Sequence, residues 1–375
     1  MTIRLLITMR DMAAAAHLSQ VVKAARADDR YEIEVIAQKP ASAHLASVGI
    51  AHQAVQAPAA LLAASPEAAE LLTTAREILE RLQPHAVLAG LSTPFDGGID
   101  EAVLACANVP TFLLQDFWGE QNRFFGKGAD VAFALDDAAR KRNADRFNLP
   151  SVVVGSARHA AYAALDLPAM RRNMRRTLNV PGASPVIGFF GQALNHLAGY
   201  RRTVLAFIQA VAAFGPGVTL IVRTHPRESA AHKAETRAMF DAAGIATITL
   251  DDGAVDDILP ACDIVCSLFS NCTYDASYQN WFSPEPLSVP VSMLFDPEIA
   301  EYYRERVDFE GLPIHVHGLV IPVYRQAHLK AVLADGLRPE ARRDIWLRAK
   351  AALPDPTAAP GLILDTIATR VSTAR

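Results

Sequence analysis

The chain has 375 residues, 51% of them hydrophobic and 20% charged, with a formal net charge of −4. That is a globular balance without a global basic field to recruit nucleic acid, and the length favours two domains at roughly 100–200 residues each. The four cysteines, Cys106, Cys262, Cys266 and Cys272, outline no secretory disulfide framework, which favours a reduced, cytoplasmic setting. The last three match no zinc spacing and sit in or beside an apolar run, so no metal is expected. No apolar stretch approaches the ~18 residues needed to span a bilayer, and the run Ile3–Thr8 is too short for a signal-peptide core. A cytoplasmic protein is expected, with peripheral contact at a membrane surface left open.

From the N-terminus, strand and helix alternate. Ile3–Thr8 reads as a buried strand, and Met12 to Arg26 as an Ala-rich helix capped by Asp11. Strands follow at Tyr31–Ala37, His85–Ala89, Thr111–Leu114, Val131–Leu135 and Ser151–Val154. Helices are expected at Ala68–Leu82, around Ala102–Ala107 and from Asp136 to Phe147, with a loop over Ala57 to Pro66. Such alternation means βαβ units and a parallel sheet covered on both faces.

Around Gly155 the rhythm breaks. Pro168 opens a basic helix carrying Arg171, Arg172, Arg175 and Arg176, read as a solvated face or as a phosphate- or membrane-directed one. After Pro185 the alternation restarts. Strands are expected at Val186–Phe190, Val218–Val222, Ala246–Leu250, Ile264–Cys266, Val289–Phe295 and Leu319–Val323. Between them fall helices at Tyr200–Ala213, Glu228–Ala243, Val255–Leu259 and Pro297–Glu305. In the first of these, Val204, Phe207, Ile208 and Val211 recur at helical spacing. Two closing helices lie near Pro339–Leu353 and Gly361–Val371. The expected organisation is a first domain over 1–165, a second over 166–355, and a C-terminal helix in 356–375 that crosses back to the first. Two Rossmann-like sheets facing a central cleft would place a small ligand there.

The chemistry gathers where strands end, because open α/β sheets bind ligands outside their carboxyl edges. VTLIVRTHPRES brings Arg223, His225 and Pro226 to one such end, an imidazole flanked by phosphate-binding arginines. CDIVCSLFSNCTYDAS brings Ser267, Ser270, Asn271 and Thr273 to a helix start, where backbone amides attract an anion. Ser270 or Asn271 is expected to cap that helix. Asp275, one turn in, could take two ribose hydroxyls. Gly191 and Gln192 follow Val186–Phe190 and allow close backbone approach. In the first domain Arg10, Asp11, Ser92, Thr93, Asp96, Gln115, Asp116 and Trp118 follow strands. Asp11, Asp116 and His17 are the candidate general bases for an acceptor hydroxyl. His315 and His317, in LPIHVHG, would share one face of a strand.

Three of these segments carry a family likeness. RTHPRES looks like the His-Pro motif, SLFSNCTYDAS like the hydroxyl-rich phosphate loop with an acidic-Ala pair, and ADVAFALDDAARKRNADRFNLPSVVVGSARHAAY like the segment closing a first domain. Together they resemble bacterial GT-B glycosyltransferases of the capsule-polysaccharide, teichoic-acid-polymerase and sialyltransferase-like branches. The likeness implies sugar transfer from a nucleotide-activated donor, UDP- or CMP-linked, to a glycan or lipid-linked acceptor in surface polysaccharide assembly. It implies no cofactor beyond that co-substrate. By position, His225 would hold the nucleotide, Ser270, Asn271 and Thr273 its phosphates, and Asp275 the ribose or donor. The first loop, TMRDMAAAAHL, lacks the glycines common in such enzymes. The same architecture serves UDP-N-acetylglucosamine 2-epimerases and nucleotide-sugar hydrolases, and a non-catalytic nucleotide or sugar sensor is a further reading.

Overall fold

The computed structural model describes residues 2–58, 61, 65–93, 96–182, 184–245, 247–307, 313–315 and 317–373. The chain divides into two compact units, Met1–Ala163 with Pro354–Arg375, and Ala164–Leu353.

The first unit runs β1 (Ile3–Met9), α1 (Met12–Arg26), β2 (Tyr31–Gln38), α2 (Ala41–Ser47), β3 (Gln53–Val55), α3 (Pro66–Leu82), β4 (Ala86–Gly90), α4 (Ile99–Cys106), β5 (Thr111–Leu114), β6 (Val131–Ala134), α5 (Asp137–Phe147) and β7 (Ser151–Val153). Among the described residues the strands form one sheet, ordered β3-β2-β1-β4-β5-β6-β7 and parallel throughout. Side chains alternate across each strand. Leu5, Ile7 and Met9 therefore pack in one cluster with Leu18 and Val22 of α1, while Leu6 packs in another with Leu71 and Ile78 of α3 and Val103 of α4. Coverage on both faces is why these strands read as continuous apolar runs. Helix ends follow local chemistry. Ser65 accepts the Ala68 amide at 3.2 Å and Pro66 opens α3. Asp136 accepts the Ala139 amide at 2.8 Å, and Asn148 ends α5 in the left-handed region.

The second unit holds α6 (Leu167–Thr177), β8 (Val186–Phe190), α7 (Ala198–Ala212), β9 (Thr219–Arg223), α8 (Ala230–Asp241), β10 (Thr247–Thr249), α9 (Val255–Ile258), β11 (Ile264–Ser267), α10 (Cys272–Phe282), β12 (Val289–Met293), α11 (Pro297–Val307), β13 (Ile321–Val323), α12 (Leu329–Gly336) and α13 (Pro339–Ala352). The described strands form a parallel sheet ordered β10-β9-β8-β11-β12-β13. In the core Phe189 meets Phe207 at 5.2 Å and Phe240 at 5.5 Å between ring centres. Truncating one such ring to Ala costs about 3–5 kcal/mol. The chain then returns to the first unit as α14 (Ala359–Thr373), whose Ile363, Leu364 and Ile367 join the cluster of α1.

Three expectations are corrected. The arginines of α6 are not one solvated row. Arg171 and Arg175, one turn apart on the inner side, reach Asp263 at 2.5 and 2.6 Å, and Arg342 of α13 bonds the same carboxylate. Arg172 and Arg176 remain exposed. His315 and His317 do not alternate along a strand, because Pro313–His315 forms a single 3-10 turn and β13 begins at Ile321. Proline at the first position of that segment favours the turn. Asp11 does not cap α1 through its side chain, and at α10 it is Ser270, whose Oγ accepts the Cys272 amide at 3.3 Å, and not Asn271, that takes up the first amide. Of the expected segments, residues 59–60 and 62–64, Ala246 and Val316 lie outside the described residues. The short elements α2 and β3, and α12, had no periodic signal in the sequence strong enough to be assigned.

Candidate nucleotide and acid-base site

Both sheets reverse direction at their centres. In the first, β1, β2 and β3 step one way and β4 lies on the other side of β1; in the second, β8, β9 and β10 step one way and β11 lies beyond β8. Such switch points open a crevice at the carboxyl edge. Gly191 and Gln192 follow β8 at the second of these.

His225 lies past the end of β9, half-buried. Its Nδ1 accepts the Arg227 amide at 3.2 Å. Burial, aided by Arg227, Lys233 and Arg223, lowers the imidazole to about 4, so the ring is neutral near pH 7. A neutral ring accepting at Nδ1 carries its proton on Nε2. His225 thus presents one N–H donor, suited to a phosphate or carbonyl oxygen.

The hydroxyl-rich turn sorts into anchors and open groups. Ser267 donates to the Phe190 carbonyl at 2.7 Å and Thr273 to the Ser270 carbonyl at 3.0 Å, and both are fully buried. Ser270 is half-buried, its hydroxyl meeting the Cys272 thiol at 2.7 Å and the Cys272 amide at 3.3 Å, and Asn271 is exposed, at the start of a helix whose next nine residues are buried. At the start of α10 the chain meets solvent at Asn271, and a helix start favours an anion through its dipole. Asp275 sits on the buried first turn of α10.

Arg223 does not stand open as a phosphate clamp: it is 9% exposed and donates to the carbonyls of Asp252 and Gly253 at 2.9 and 2.7 Å. It braces the loop after β10. His225 and the hydroxyl turn follow β9 and β11, with β8 between them. Strands spaced ~4.8 Å apart put those two ends roughly 10 Å from each other. The β8 end fills the interval. Gly191 donates its amide to the Arg223 carbonyl at 2.8 Å, and Gln192 Oε1 accepts the Phe269 amide at 2.9 Å. Pro226 follows His225, exposed.

In the first unit, Asp11 and Asp116 flank the end of β4. Asp11 Oδ2 accepts the Thr93 amide at 3.1 Å. Burial, with the Asp11 charge adding to it, pushes Asp116 up to about 7. A carboxyl poised there can both take and give a proton near neutral pH. His17 is different: it is 6% exposed within α1, and burial, with His159 and Arg158 nearby, holds it well below the usual imidazole range. Trp118 is core, its indole N–H donating to Asp136 at 2.8 Å.

The sequence reading missed a second acid pair. Arg10 bonds Asp96 at 2.6 Å and the carbonyls of Thr93 and Asp96, while Asn122 donates to the same two carbonyls at 2.7 and 2.8 Å. Glu101 accepts the Gly98 amide at 2.8 Å and the Ser92 hydroxyl. Asp100, fully buried beside it, is raised well above the carboxylate range by burial and by Glu101. The acidic pair in GGIDEAV was the available signal, since two acids opening an apolar helix stand near both its dipole and the core. A groove of about 850 Å³ lined by His85, Lys127, Asp130 and Arg370 lies at the opposite, amino-terminal edge of this sheet, away from these residues.

Two Rossmann-like units with parallel sheets of seven and six described strands define a GT-B-type fold. No protein-family model and no curated protein matches the chain. Solved structures do. A putative UDP-N-acetylglucosamine 2-epimerase from Listeria monocytogenes matches with TM-score 0.72 and 14% identity, over 100% of this chain and 98% of that one. UDP-GlcNAc 2-epimerase from Neisseria meningitidis, bound to UDP-GlcNAc, matches with TM-score 0.66 and 13% identity, over 98% and 100%. A glycosyltransferase from Rickettsia africae matches with TM-score 0.67 and 10% identity, over 99% of each. At such identities the likeness speaks for the fold.

Proposed function

We propose that this protein is a nucleotide-sugar enzyme, and specifically a glycosyltransferase that moves a sugar from a UDP- or CMP-linked donor to a glycan or lipid-linked acceptor. The observation that carries the reading is at the second sheet's carboxyl edge. A neutral imidazole with its donor on Nε2 and the solvent-facing start of a buried helix stand on either side of the Gly191–Gln192 strand end. Donors without a fixed cation suit a leaving phosphate, because oriented dipoles stabilise charge as it develops. In this reading His225, Ser270, Asn271 and the α10 amides hold the donor, and Thr273, Ser267 and Arg223 keep those groups in place. Asp275 supports the first turn of α10, and Asp116, with Asp11 beside it, is the general base toward the acceptor.

A second reading, epimerisation or hydrolysis of the nucleotide sugar without an acceptor, is favoured by the full-length likeness to proteins named as 2-epimerases. A panel of UDP- and CMP-sugars, each with and without acceptor glycans, separates the two. Turnover only with acceptor supports transfer; a changed sugar or released nucleotide without acceptor supports the second reading. Absence of nucleotide binding by calorimetry, or unchanged affinity in His225→Ala, overturns both.

A further inference from the structure

Beneath the His225 loop lies an acid-phenol pair that the proposed site does not use directly. Glu228 is 7% exposed and Tyr200 1% exposed. Glu228 Oε1 accepts the His225 backbone amide at 2.9 Å, and the Glu228 amide donates back to the His225 carbonyl at 3.0 Å. The loop is therefore closed on itself through both backbone groups of His225. Glu228 Oε2 and Tyr200 Oη are buried and make no short, well-aligned hydrogen bond among the described residues, with the Asn195 side chain standing near the acid and the Gln192 backbone near the phenol. Two such atoms are costly unless the surroundings hold them for a reason.

Gly191 supplies the reason. A β-carbon there would lie 2.8 Å from Tyr200 Oη, 3.3 Å from the Arg223 carbonyl and 3.4 Å from Glu228 Oε1. The absent side chain lets the phenol and the acid pack directly under the strand end. Burial raises the Glu228 carboxyl, with the His225 amide opposing, and raises the Tyr200 phenol, with Glu228 adding to it. Both groups thus shift toward their neutral forms, because burial outweighs the opposing Lys233 and His232 charges on Glu228. The pair is a rigid floor on which the backbone of His225 rests.

We propose that Glu228, buttressed by Tyr200 under Gly191, is the positioning residue that sets the aim and tautomer of His225. The inference rests on the reading of His225 as a nucleotide ligand for its consequence, but its geometry stands without it. Without Glu228 the His225 amide loses its acceptor. The loop then opens and the ring gains solvent.

Nitrogen-15 spectra of the imidazole through a pH titration test this directly, on the whole protein without nucleotide. In the parent, His225 is expected to show a protonated Nε2 and a bare Nδ1 and to titrate at about 4. Glu228→Gln keeps the acceptor oxygen and is expected to keep both properties. In Glu228→Ala the titration is expected above about 5 with the tautomers mixed, since regained solvent favours the charged ring. Tyr200→Phe, which removes only the hydroxyl, is expected to keep the parent spectrum while its unfolding midpoint changes little. A folded Glu228→Ala protein with the parent's His225 signature overturns the proposal. Calorimetry with UDP and CMP reads the consequence: about tenfold weaker nucleotide in Glu228→Ala, rescued by Gln, matches one lost buried hydrogen bond. If His225→Ala binds nucleotide as the parent does while the spectra behave as expected, the ligand reading fails and the positioning role stands.

Discussion

The side-chain oxygen of Gln192 accepts the backbone amide of Phe269 at 2.9 Å, joining the second residue after β8 to the turn that opens α10. On the other side of β8, the Gly191 amide is joined to the Arg223 carbonyl at 2.8 Å. The strand end therefore fixes both halves of the proposed donor site at once.

Gln192→Ala breaks the first of these links and leaves the Phe269 amide to water. Because the turn is half-buried, the expected loss of stability is about 1 kcal/mol, in the range of one hydrogen bond. Nucleotide affinity is expected to fall severalfold more than in a surface control such as Lys141→Ala. Calorimetry beside denaturant unfolding checks the two effects separately.

Gly191→Ala places a methyl group against Tyr200 Oη and is expected to destabilise by about 1–3 kcal/mol, the usual cost of overpacking. Removing the hydroxyl in Gly191→Ala/Tyr200→Phe recovers part of that loss. A double-mutant cycle by urea denaturation reads the coupling; simple additivity would show that the contact does not decide the residue.

Asp263 holds Arg171, Arg175 and Arg342 together at the amino edge of the second sheet. Burial alone would raise its carboxyl, but Arg171 and Arg175 outweigh it and the net shift is downward. Asp263→Ala leaves three partly buried guanidiniums without their anion, and a loss of about 3–5 kcal/mol is expected. A carboxyl lowered in the folded state adds stability above its unfolded value and loses it as pH falls through the folded one. The parent is therefore expected to lose stability steeply below about pH 4, and a charge-free variant to lose less there. Unfolding curves from pH 7 to 3 compare the two.

Asp116 shows the opposite sign. Its carboxyl is raised to about 7, so the folded state holds the proton more tightly than the unfolded chain. That contribution is complete below the unfolded value and declines as pH rises toward 7. Asp116→Asn is expected to gain stability relative to the parent between pH 5 and 8. If Asp116 is the base, turnover rises along a limb near pH 7, and Asp11→Asn moves that limb toward acid by up to about one unit by removing the neighbouring charge. A limb unmoved in Asp11→Asn, together with full activity of Asp116→Asn, removes the pair from the chemistry.

Long periodic segments made the α/β fold legible. Met12 to Arg26 and Val204–Val211 carry helical spacing, and the buried strands are uninterrupted apolar runs because helices cover both faces. The short β3, only Gln53–Val55, carries no such run. At the site, residue types announced His225 and the hydroxyl turn, but not which hydroxyls would face inward. Ser267 and Thr273 differ from Ser270 only in where the chain turns, which tertiary packing sets. Arg171 and Arg175 looked like a surface row because their partner, Asp263, lies far along the chain. Glu228 and Tyr200 gave no pattern at all, since what marks them is the empty side of Gly191.

The return of α14 to the first unit has a consequence for how the molecule is made. Tyr31 donates its hydroxyl to the Leu364 carbonyl, and Arg30 meets Asp365 at 2.8 Å. Val21, Val22 and Ala25 share a cluster with Ile363, Ile367 and Val371. During synthesis this flank of the earlier-made half stays uncovered until the whole of residues 164–353 has been made. A product halted at Leu353 would lack the helix that covers Val21, Val22 and Ala25, and would carry an unsealed apolar surface for chaperones to recognise.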